Sequence, residues 1–370
     1  QIQGRLNNIP FVCQGQTCEV PLRATTTQGV KLEFWADSSY GDSSKHYHGR
    51  VRVVDSGVLE TPEYSGWYVD IMGEGGANDE IDICAQAWGA FPPVGTPPQW
   101  LANPSQVELL ATDMPLAYLA GQLIIHNIVD ASDCDFRGLL ENKYASQCGL
   151  EKVRLEVIRW QNLFDATIIE AAQESKIPSQ TLKRIFAQES QFWPGVISNN
   201  YKEYGLGQIT ELGADTALLW NQEFFNQFCP LILSDEVCQK GYSNMEEENQ
   251  ILLRGALLAN VNGECPECSQ GVDLEAVQNS VSIFAQTLIG NCRQTGQIIS
   301  NETGKSPGEV SSYEDLWRYT LVNYNAGSGC LAEAIQQVTL DKKPLNCTQV
   351  ALELENNCPH AIKYVEEITK

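Results

Sequence analysis

The period of the hydrophobic pattern changes once along the chain, near residue 150. From about Cys18 to Asp130, short runs such as GRVRVVD and GWYVDIMG alternate apolar and polar positions, and turn-rich breaks such as DSSYGDSS and GEGGAND separate them. From Leu150 onward, apolar residues recur every three to four positions. A period of two is typical of strands and a period of 3.6 of helices. The pattern therefore predicts an α+β chain with two domains, residues 1–148 and 149–370.

Some seven strand-like runs precede this boundary, and their spacing predicts an antiparallel β-sandwich of immunoglobulin-like type. The later runs among them are EIDICAQAW, QVELLAT and AGQLIIHNIVD. The Cys-Trp-Cys signature of immunoglobulin domains is not convincingly present, so the pattern indicates an architecture and not a family. The Pro-rich run FPPVGTPP at 91–98 is interpreted as a crossover between sheets, with the edge of a smaller domain as the alternative. Trp67 and Trp100 are expected in the core, although contact with a sugar or a protein is an alternative.

The region after the boundary reads as all-α. Helical patterns are expected at 151–176, 179–193, 212–227, 245–261, 274–292, 313–324 and 350–367. The first of these is one long or broken helix that Ile177-Pro178 ends, and Ser179 is expected to cap the next one. No internal repeat or low-complexity run is found.

The charge balance excludes some classes of partner. The chain has 47 acidic and 24 basic residues, a formal charge of −23. Nucleic acid binding needs clustered Lys and Arg to neutralise phosphates, so nucleic acid is not expected as a partner. Charge-driven binding to anionic lipid or wall polymer is disfavoured too. We interpret the acidic surface as one that keeps a secreted protein in solution.

Thirteen cysteines favour an oxidising compartment. Short loops would be closed by four pairs: Cys13 with Cys18, Cys134 with Cys148, Cys229 with Cys238 and Cys347 with Cys358. Cys265 and Cys268 form the C-x-x-C motif, for which a disulfide is favoured over zinc. His46 and His48 alternate on one strand face and are interpreted as a surface pair, because no further metal ligand is evident. No metal or cofactor is therefore expected.

No apolar run reaches the roughly 20 residues that a membrane span requires. No charged and then apolar leader opens the sequence either. We therefore expect a mature or trimmed extracellular or cell-envelope protein, from which a signal peptide or anchor has been removed.

Glu189 stands at a position where an amphipathic helix would carry an apolar residue. Leu182, Ile185, Phe186 and Glu189 follow the i, i+3, i+4, i+7 spacing of one helical face. Burial disfavours the charged carboxylate, and Pro194 should end the helix so that its negative end lies near Glu189. Both effects raise the pKa toward the range of a general acid. A buried ion pair with Arg or Lys is the structural alternative.

Three separated pieces of the helical region match one pattern. They are AQESQF at 187–192, GLGQI at 205–209 and NYNAG at 323–327. These pieces resemble the E-S, G-L-M-Q and Y-N-A-G motifs of the soluble lytic transglycosylase family, which has a goose-type lysozyme-like fold. The likeness covers roughly residues 160 to 340, and the order and spacing of the motifs together are more specific than any one motif.

The resemblance implies that Glu189 is the single catalytic acid. It would protonate the glycosidic oxygen between N-acetylmuramic acid and N-acetylglucosamine in peptidoglycan, and then accept the proton of the muramic 6-hydroxyl, giving a 1,6-anhydro end. The substrate's acetamido group would stabilise the cationic centre, so no second carboxylate is needed. We therefore interpret the nearby Glu203, Glu211 and Asp215 as surface or capping residues.

The same resemblance implies the residues that bind the glycan strand: Ser190, Phe192, Tyr204, Gly205, Leu206, Gln208, Tyr324 and Asn325. Tyr324 is expected to hydrogen-bond the Glu189 carboxyl. The alternatives are that the Ser190 hydroxyl bonds to its own helix, that Tyr324 is a core residue and that Asn325 belongs to a turn. At least two of Phe192, Trp193, Tyr201 and Tyr204 are expected in the core.

Two departures from the family pattern affect the expected glycan site. Gly207 replaces the family's Met, which predicts a wider or more mobile subsite. A Cys-bearing insertion at about 225–272 separates the second and third motifs, and it is expected to cap the groove or to dock the sandwich domain. The minor departure is Ser328 in place of Pro.

Three functions are consistent with the sequence. The first is a peptidoglycan lytic transglycosylase whose β-sandwich has a protein or wall partner. The second is a lysozyme-type hydrolase of the same bond. The third is a glycan-binding or scaffold protein that keeps the fold without turnover.

Overall fold

The computed structural model describes residues 1–61, 64–73, 83–195 and 202–370, without the side chains of residues 58–61, 64 and 65. The turn-rich run after Gly73 and the aromatic Tyr201 lie outside the described residues. The described chain has the expected α+β layout, an N-terminal antiparallel sheet followed by a mostly helical region.

One five-stranded antiparallel sheet forms the N-terminal region. Its strands are β1 (Ile2–Leu6), β2 (Ile9–Cys13), β3 (Val30–Ala36), β4 (Tyr47–Thr61) and β5 (Tyr64–Gly73), in the spatial order β2-β1-β3-β4-β5. Alternation places Val51 and Val53 of β4 on one face, where both are buried, and Arg52 on the other. The sheet therefore follows the period-two pattern of the sequence.

The predicted β-sandwich is wrong, because the described strands form a single sheet. Three runs predicted as strands are helical: ICAQAW is the helix α1, QVELLAT contains a 3₁₀ turn, and AGQLIIHNIVD contains α2. Short continuous apolar runs fit a buried helix as well as a buried strand, so periodicity alone does not separate the two.

The Pro-rich run at 91–98 does not connect two sheets. Instead, Arg52 of β4 donates from Nη1 to the Pro92 carbonyl at 2.5 Å, and its guanidinium lies 4.8 Å from the Phe91 ring centroid. The run therefore begins by packing on β4. Trp100 is buried as expected, whereas Trp67 is 52% exposed, so its expected core position is wrong.

Fourteen α-helices lie in the described part of the chain. They are α1 (Ile83–Trp88), α2 (Ala117–Ile125), α3 (Gln147–Gln161), α4 (Asp165–Ser175), α5 (Ser179–Glu189), α6 (Glu211–Trp220), α7 (Gln222–Phe228), α8 (Asp235–Cys238), α9 (Glu247–Val261), α10 (Leu274–Thr303), α11 (Pro307–Val310), α12 (Tyr313–Leu340), α13 (Cys347–Asn357) and α14 (Pro359–Thr369).

The predicted helices are present, with differences at their ends. The first is broken into α3 and α4, the expected 212–227 helix divides at Asn221, and the expected 350–367 helix divides at Cys358. Helices α10 and α12 run beyond their predicted ends. Ser179 does not cap α5, because Pro178 holds the N-cap position and the Ser179 amide donates to Asn103 Oδ1 at 2.7 Å. The Asn221 side chain caps α7 instead, which explains the break there.

The chain packs into two compact units. The first comprises residues 1–97 and 295–362, and the second comprises residues 98–294 and 363–370. Residues 98–148, which we expected in a sandwich, belong to the second unit. The compact units and the domains predicted from the sequence are therefore different partitions of the chain.

Disulfides account for twelve of the thirteen cysteines. The expected pairs Cys13–Cys18, Cys134–Cys148 and Cys229–Cys238 are confirmed, and Cys265–Cys268 is a disulfide. The expected Cys347–Cys358 pair is wrong. Cys358 bonds to Cys330, and Cys347 keeps its thiol. The sequence did not reveal this pair because α12 continues through Cys330 and brings it to the start of α14.

The disulfides are typical of a protein that matures in an oxidising compartment, in agreement with an extracellular location. Among the described residues, no helix combines the length and the apolar character needed to cross a membrane. The same residues contain no cluster of three or more His, Cys, Asp or Glu side chains suited to a metal ion. His46 instead stacks on Trp35 and bonds to Glu33 at 2.7 Å.

Candidate active site

Helix α5 presents the carboxylate that the sequence singled out. Leu182, Ile185 and Phe186 are fully buried on one face, and the Phe186 ring packs 5.0 Å from that of Phe284. Glu189 is the last residue of α5 and lies about one helical turn after Ile185 and Phe186, on the same face. Glu189 is partly buried, so the apolar face ends in a carboxyl that is largely removed from water.

Two neighbours act on this carboxyl within the second unit. The Tyr364 hydroxyl of α14 lies close enough to Glu189 to act on it as a hydrogen-bond donor, and the charge of Glu203 lies close enough to influence it. Burial is the largest effect and raises the pKa of Glu189 to about 7; the Tyr364 hydrogen bond lowers it and the Glu203 charge raises it. Glu189 therefore exchanges its proton near neutral pH.

The ion-pair alternative for Glu189 does not hold among the described residues. The buried cation of α5, Lys183, pairs with Asp165, and its Nζ donates to the Gln161 carbonyl at 2.8 Å and to Asn162 Oδ1 at 2.9 Å. Burial lowers the pKa of Lys183 and raises that of Asp165. This network holds α5 against α4, and none of the described cations pairs with Glu189.

The two residues expected to contact sugar directly after Glu189 are buried. Ser190 has no exposed surface, and its hydroxyl donates to the Phe186 carbonyl at 3.1 Å, the helix-bonding alternative. Phe192 is fully buried with its ring 5.2 Å from Lys183 Nζ, and Trp193 stacks on Trp160 at 5.2 Å. Sugar stacking on Phe192 is therefore a wrong prediction, and the expectation of two core aromatics is confirmed.

The second motif forms a closed turn. Tyr204 and Ile209 exchange backbone hydrogen bonds of 3.1 and 2.8 Å, and Gly205 adopts a φ of +71°. Gln208 crosses the turn by donating from Nε2 to the Gly205 carbonyl at 2.8 Å and to the Gly195 carbonyl at 3.4 Å. Its Oε1 is buried and accepts no hydrogen bond from the described residues. Gln208 thus holds the turn, and Leu206 is fully buried beneath it.

Gly207 does not leave open space, contrary to the expectation of a wider subsite. A Cβ atom on Gly207 would lie 2.0 Å from Cδ2 of Phe284. The Phe284 ring of α10 therefore fills the region that a side chain at 207 would need. The same ring packs on Phe186, so it connects this turn to α5.

The third motif lies on α12. Tyr324 and Asn325 are partly buried and belong to the first unit, just before Gly327, whose φ of +86° interrupts the helix. The Asn325 Oδ1 atom is buried and accepts no hydrogen bond from the described residues. The contact of Tyr324 with Glu189 stays a prediction.

The Cys-bearing insertion supports the second motif. All of 225–272 lies in the second unit, where the Tyr242 hydroxyl and Arg254 Nη1 both bond the Asp215 carboxylate. A Cβ on Gly205 would lie 2.8 Å from the Val261 carbonyl, and one on Gly263 would lie 3.0 Å from Pro194. The insertion therefore packs against the Gly205 turn and the segment after α5.

The three acidic residues near the motifs have different roles. Asp215 anchors the insertion, and Glu211 is an exposed residue in the first turn of α6. Glu203 differs from the expected surface residue, because it is partly buried and its burial raises its own pKa. Glu203 is thus a second carboxyl in the environment of Glu189.

Sequence reasoning missed Tyr364. Ala361, Tyr364, Val365 and Ile368 follow helical spacing and are buried, so the tyrosine looked like a core residue of the last helix. Arg184 of α5 donates to the Ile368 carbonyl at 2.9 Å and to the Lys370 carbonyl at 2.7 Å. A hydroxyl on the buried face of α14 was the signal that could have identified it.

No protein family, curated protein or solved structure matches this chain. The likeness to lytic transglycosylases therefore rests on the three sequence motifs.

Proposed function

We propose that this protein cleaves the β-1,4 bond between N-acetylmuramic acid and N-acetylglucosamine in peptidoglycan, with Glu189 as general acid. The observation that carries the proposal is the state of one carboxyl. Glu189 is partly accessible, has no ion-pair partner among the described residues, and has its pKa raised to about 7. A carboxyl that is half protonated at neutral pH is suited to give up a proton and take one back.

The proposed reaction uses this carboxyl twice. Protonated Glu189 donates to the glycosidic oxygen as the bond from this oxygen to C1 of muramic acid breaks. The resulting carboxylate accepts the proton of the 6-hydroxyl as that oxygen bonds to C1, which forms the 1,6-anhydro ring and restores the acid. The substrate's acetamido group stabilises C1 in between. The Tyr364 hydroxyl holds the Glu189 carboxyl in one orientation through both steps.

Glu203 favours a second candidate, hydrolysis of the same bond. Glycosidases with two carboxyls use one as acid and the other as base or nucleophile. Glu203 is partly buried and its charge acts on Glu189, so it is the candidate for the carboxyl that activates a water. Hydrolysis would release a reducing sugar in place of an anhydro end.

The wider assignment follows from this reaction. The same proposal includes a lysozyme-like fold for the helical region and glycan strands as substrate. It also includes a location in the cell envelope or outside the cell, and a wall or protein partner for the sheet region. They are supported by the order of the three motifs and by the disulfides.

The test is mass spectrometry of peptidoglycan digested by the purified full chain, because an anhydro end is one water lighter than a reducing end. Glu189→Gln should reduce product formation at least about 100-fold, the range of general acid catalysis. Glu203→Gln should keep the anhydro product if the first candidate is right, and should abolish a reducing product if the second is right. Equal activity of the wild type and Glu189→Gln would contradict the role of Glu189, and no product from any chain would favour a glycan-binding protein.

A further inference from the structure

The turn that follows Glu189 has an unusual backbone. Gln191 and Phe192 adopt φ angles of +48° and +62°, the left-handed region that non-glycine residues rarely occupy. Two such residues in succession are strained, and the surrounding structure must hold them in place. The strain begins two residues after the proposed catalytic acid.

Phe192 is held by groups of α3 and α5. Trp160 donates from Nε1 to the Phe192 carbonyl at 3.0 Å, and the Phe192 amide donates to the Phe186 carbonyl at 3.3 Å. Its ring is buried over the Lys183 ammonium. One half of the turn is therefore fixed by α3 and α5.

Gln191 holds the other half by a long-range contact with α2. Its Oε1 accepts from the Tyr118 amide at 2.9 Å and from the Leu119 amide at 3.4 Å. These amides belong to the first turn of α2, where the N-cap residue Leu116 provides no side-chain acceptor. The Gln191 side chain thus acts as the missing cap of α2 and joins that helix to the end of α5.

From these contacts we propose that Gln191 is a positioning residue for Glu189, an inference that rests on the proposed function. Glu189 is the last residue of α5, so its backbone direction is set by the turn that Gln191 holds. Without the acceptor at 191, α2 loses its cap and the turn is free to leave its left-handed conformation. The Glu189 carboxyl would then be better hydrated and its contact with Tyr364 would be weakened.

The test compares Gln191→Met, which keeps the side-chain length but has no carboxamide oxygen, with Gln188→Met as the matched control. Gln188 is exposed on the same helical turn and makes no hydrogen bond to the described residues. We expect Gln191→Met to lower kcat about tenfold with KM little changed. It should also lower the pKa of Glu189, followed by its ¹³C carboxyl resonance, because burial is the largest effect on this pKa and outweighs the weaker Tyr364 contact. Gln188→Met should change neither quantity.

Gln191→Glu tests whether the acceptor itself matters. A carboxylate still accepts from Tyr118 and Leu119, and its charge suits a helix N-terminus. This variant should keep kcat. The negative charge at position 191 would raise the pKa of Glu189, as the charge of Glu203 does, whereas the Tyr364 hydroxyl lowers it. Rescue by Gln191→Glu therefore shows that the acceptor is what position 191 supplies, and the Glu189 resonance distinguishes a positioning role from a general loss of stability.

The outcomes separate the two proposals. Wild-type kcat and wild-type Glu189 pKa in Gln191→Met would overturn the positioning role, and so would a folded Gln191→Glu as impaired as Gln191→Met. If Gln191→Met does not fold, Gln191→Glu alone decides. If no chain cleaves glycan, the proposed function fails, and the Glu189 resonance still tests the positioning role.

Discussion

At the scale of single residues, two neighbours of Glu189 act on its proton in opposite directions. The Tyr364 hydrogen bond stabilises the carboxylate, and the Glu203 charge disfavours it. A general acid works in its protonated form, so activity should fall as pH rises through the pKa of about 7. This alkaline limb is the observable that reports on both neighbours.

Tyr364→Phe should move the alkaline limb of the pH–rate profile to higher pH, because the carboxylate loses a hydrogen bond. The rate at the optimum should fall about tenfold, since the carboxyl loses its orientation. Glu203→Gln should move the same limb to lower pH. Tyr40→Phe, at a fully solvated surface tyrosine, is the control and should leave the profile unchanged. Shifts of equal sign in Tyr364→Phe and Glu203→Gln would contradict the described environment.

Glu189 should also reduce the stability of the protein above neutral pH. The folded chain binds the Glu189 proton with a pKa of about 7, against 4.5 for an ordinary carboxyl, so the native state holds more protons between these values. Stability then falls as pH rises through this window, by at most about 3 kcal/mol. Glu189→Gln should therefore have a higher Tm than the wild type at pH 8 but not at pH 4. Glu211→Gln, at an exposed position, should show no such difference.

At the scale of elements, the Gly205–Ile209 turn requires glycine at position 207, because the Phe284 ring occupies the space that a side chain would need. Gly207→Ala would place a Cβ against the Phe284 ring and should destabilise the fold by about 1–3 kcal/mol, the usual range for overpacking. Gly255→Ala is the matched control, because Gly255 lies in α9 of the same unit with open space around it. It should stabilise the chain by about 0.5–1 kcal/mol. Unfolding midpoints in urea measure both.

The helical elements and their motifs were largely predictable. The spacing of Leu182, Ile185 and Phe186 predicted both α5 and the burial of Glu189, because the same helical period places all four residues on one face. The end of the strand region was not predictable in this way. The run that forms α2 is a continuous apolar segment, and its helical state is decided by packing with α3 that a sequence window does not contain.

The contacts of the site were less predictable than its elements. The motif pattern pointed to Glu189 and to the Gly205 turn, but it suggested sugar contacts for Ser190 and Phe192, which are buried. Tyr364 and Gln191 act through neighbours distant in sequence. No local pattern identifies such partners, because each belongs to a helix or turn whose position only the folded chain defines.

At the scale of the whole molecule, the disulfide pattern separates the observed fold from the one expected. Cys330 bonds to Cys358, and Cys347 keeps its thiol. Alkylation of the denatured but unreduced protein should therefore modify one thiol per chain, and peptide mapping should find it at Cys347. A modified Cys330 would support the short Cys347–Cys358 loop and would contradict the packing of α12 on α13.

Residues 363–370 belong to the second unit, although the residues just before them in the chain belong to the first. A ribosome adds Glu189 long before it adds Tyr364, and residues 295–362 of the first unit lie between them in the chain. Glu189 therefore gains its hydroxyl partner only after the chain of the first unit has been synthesised. A nascent chain that stalls before Tyr364 would carry the acid without the group that orients it, so competence for cleavage would come late in synthesis.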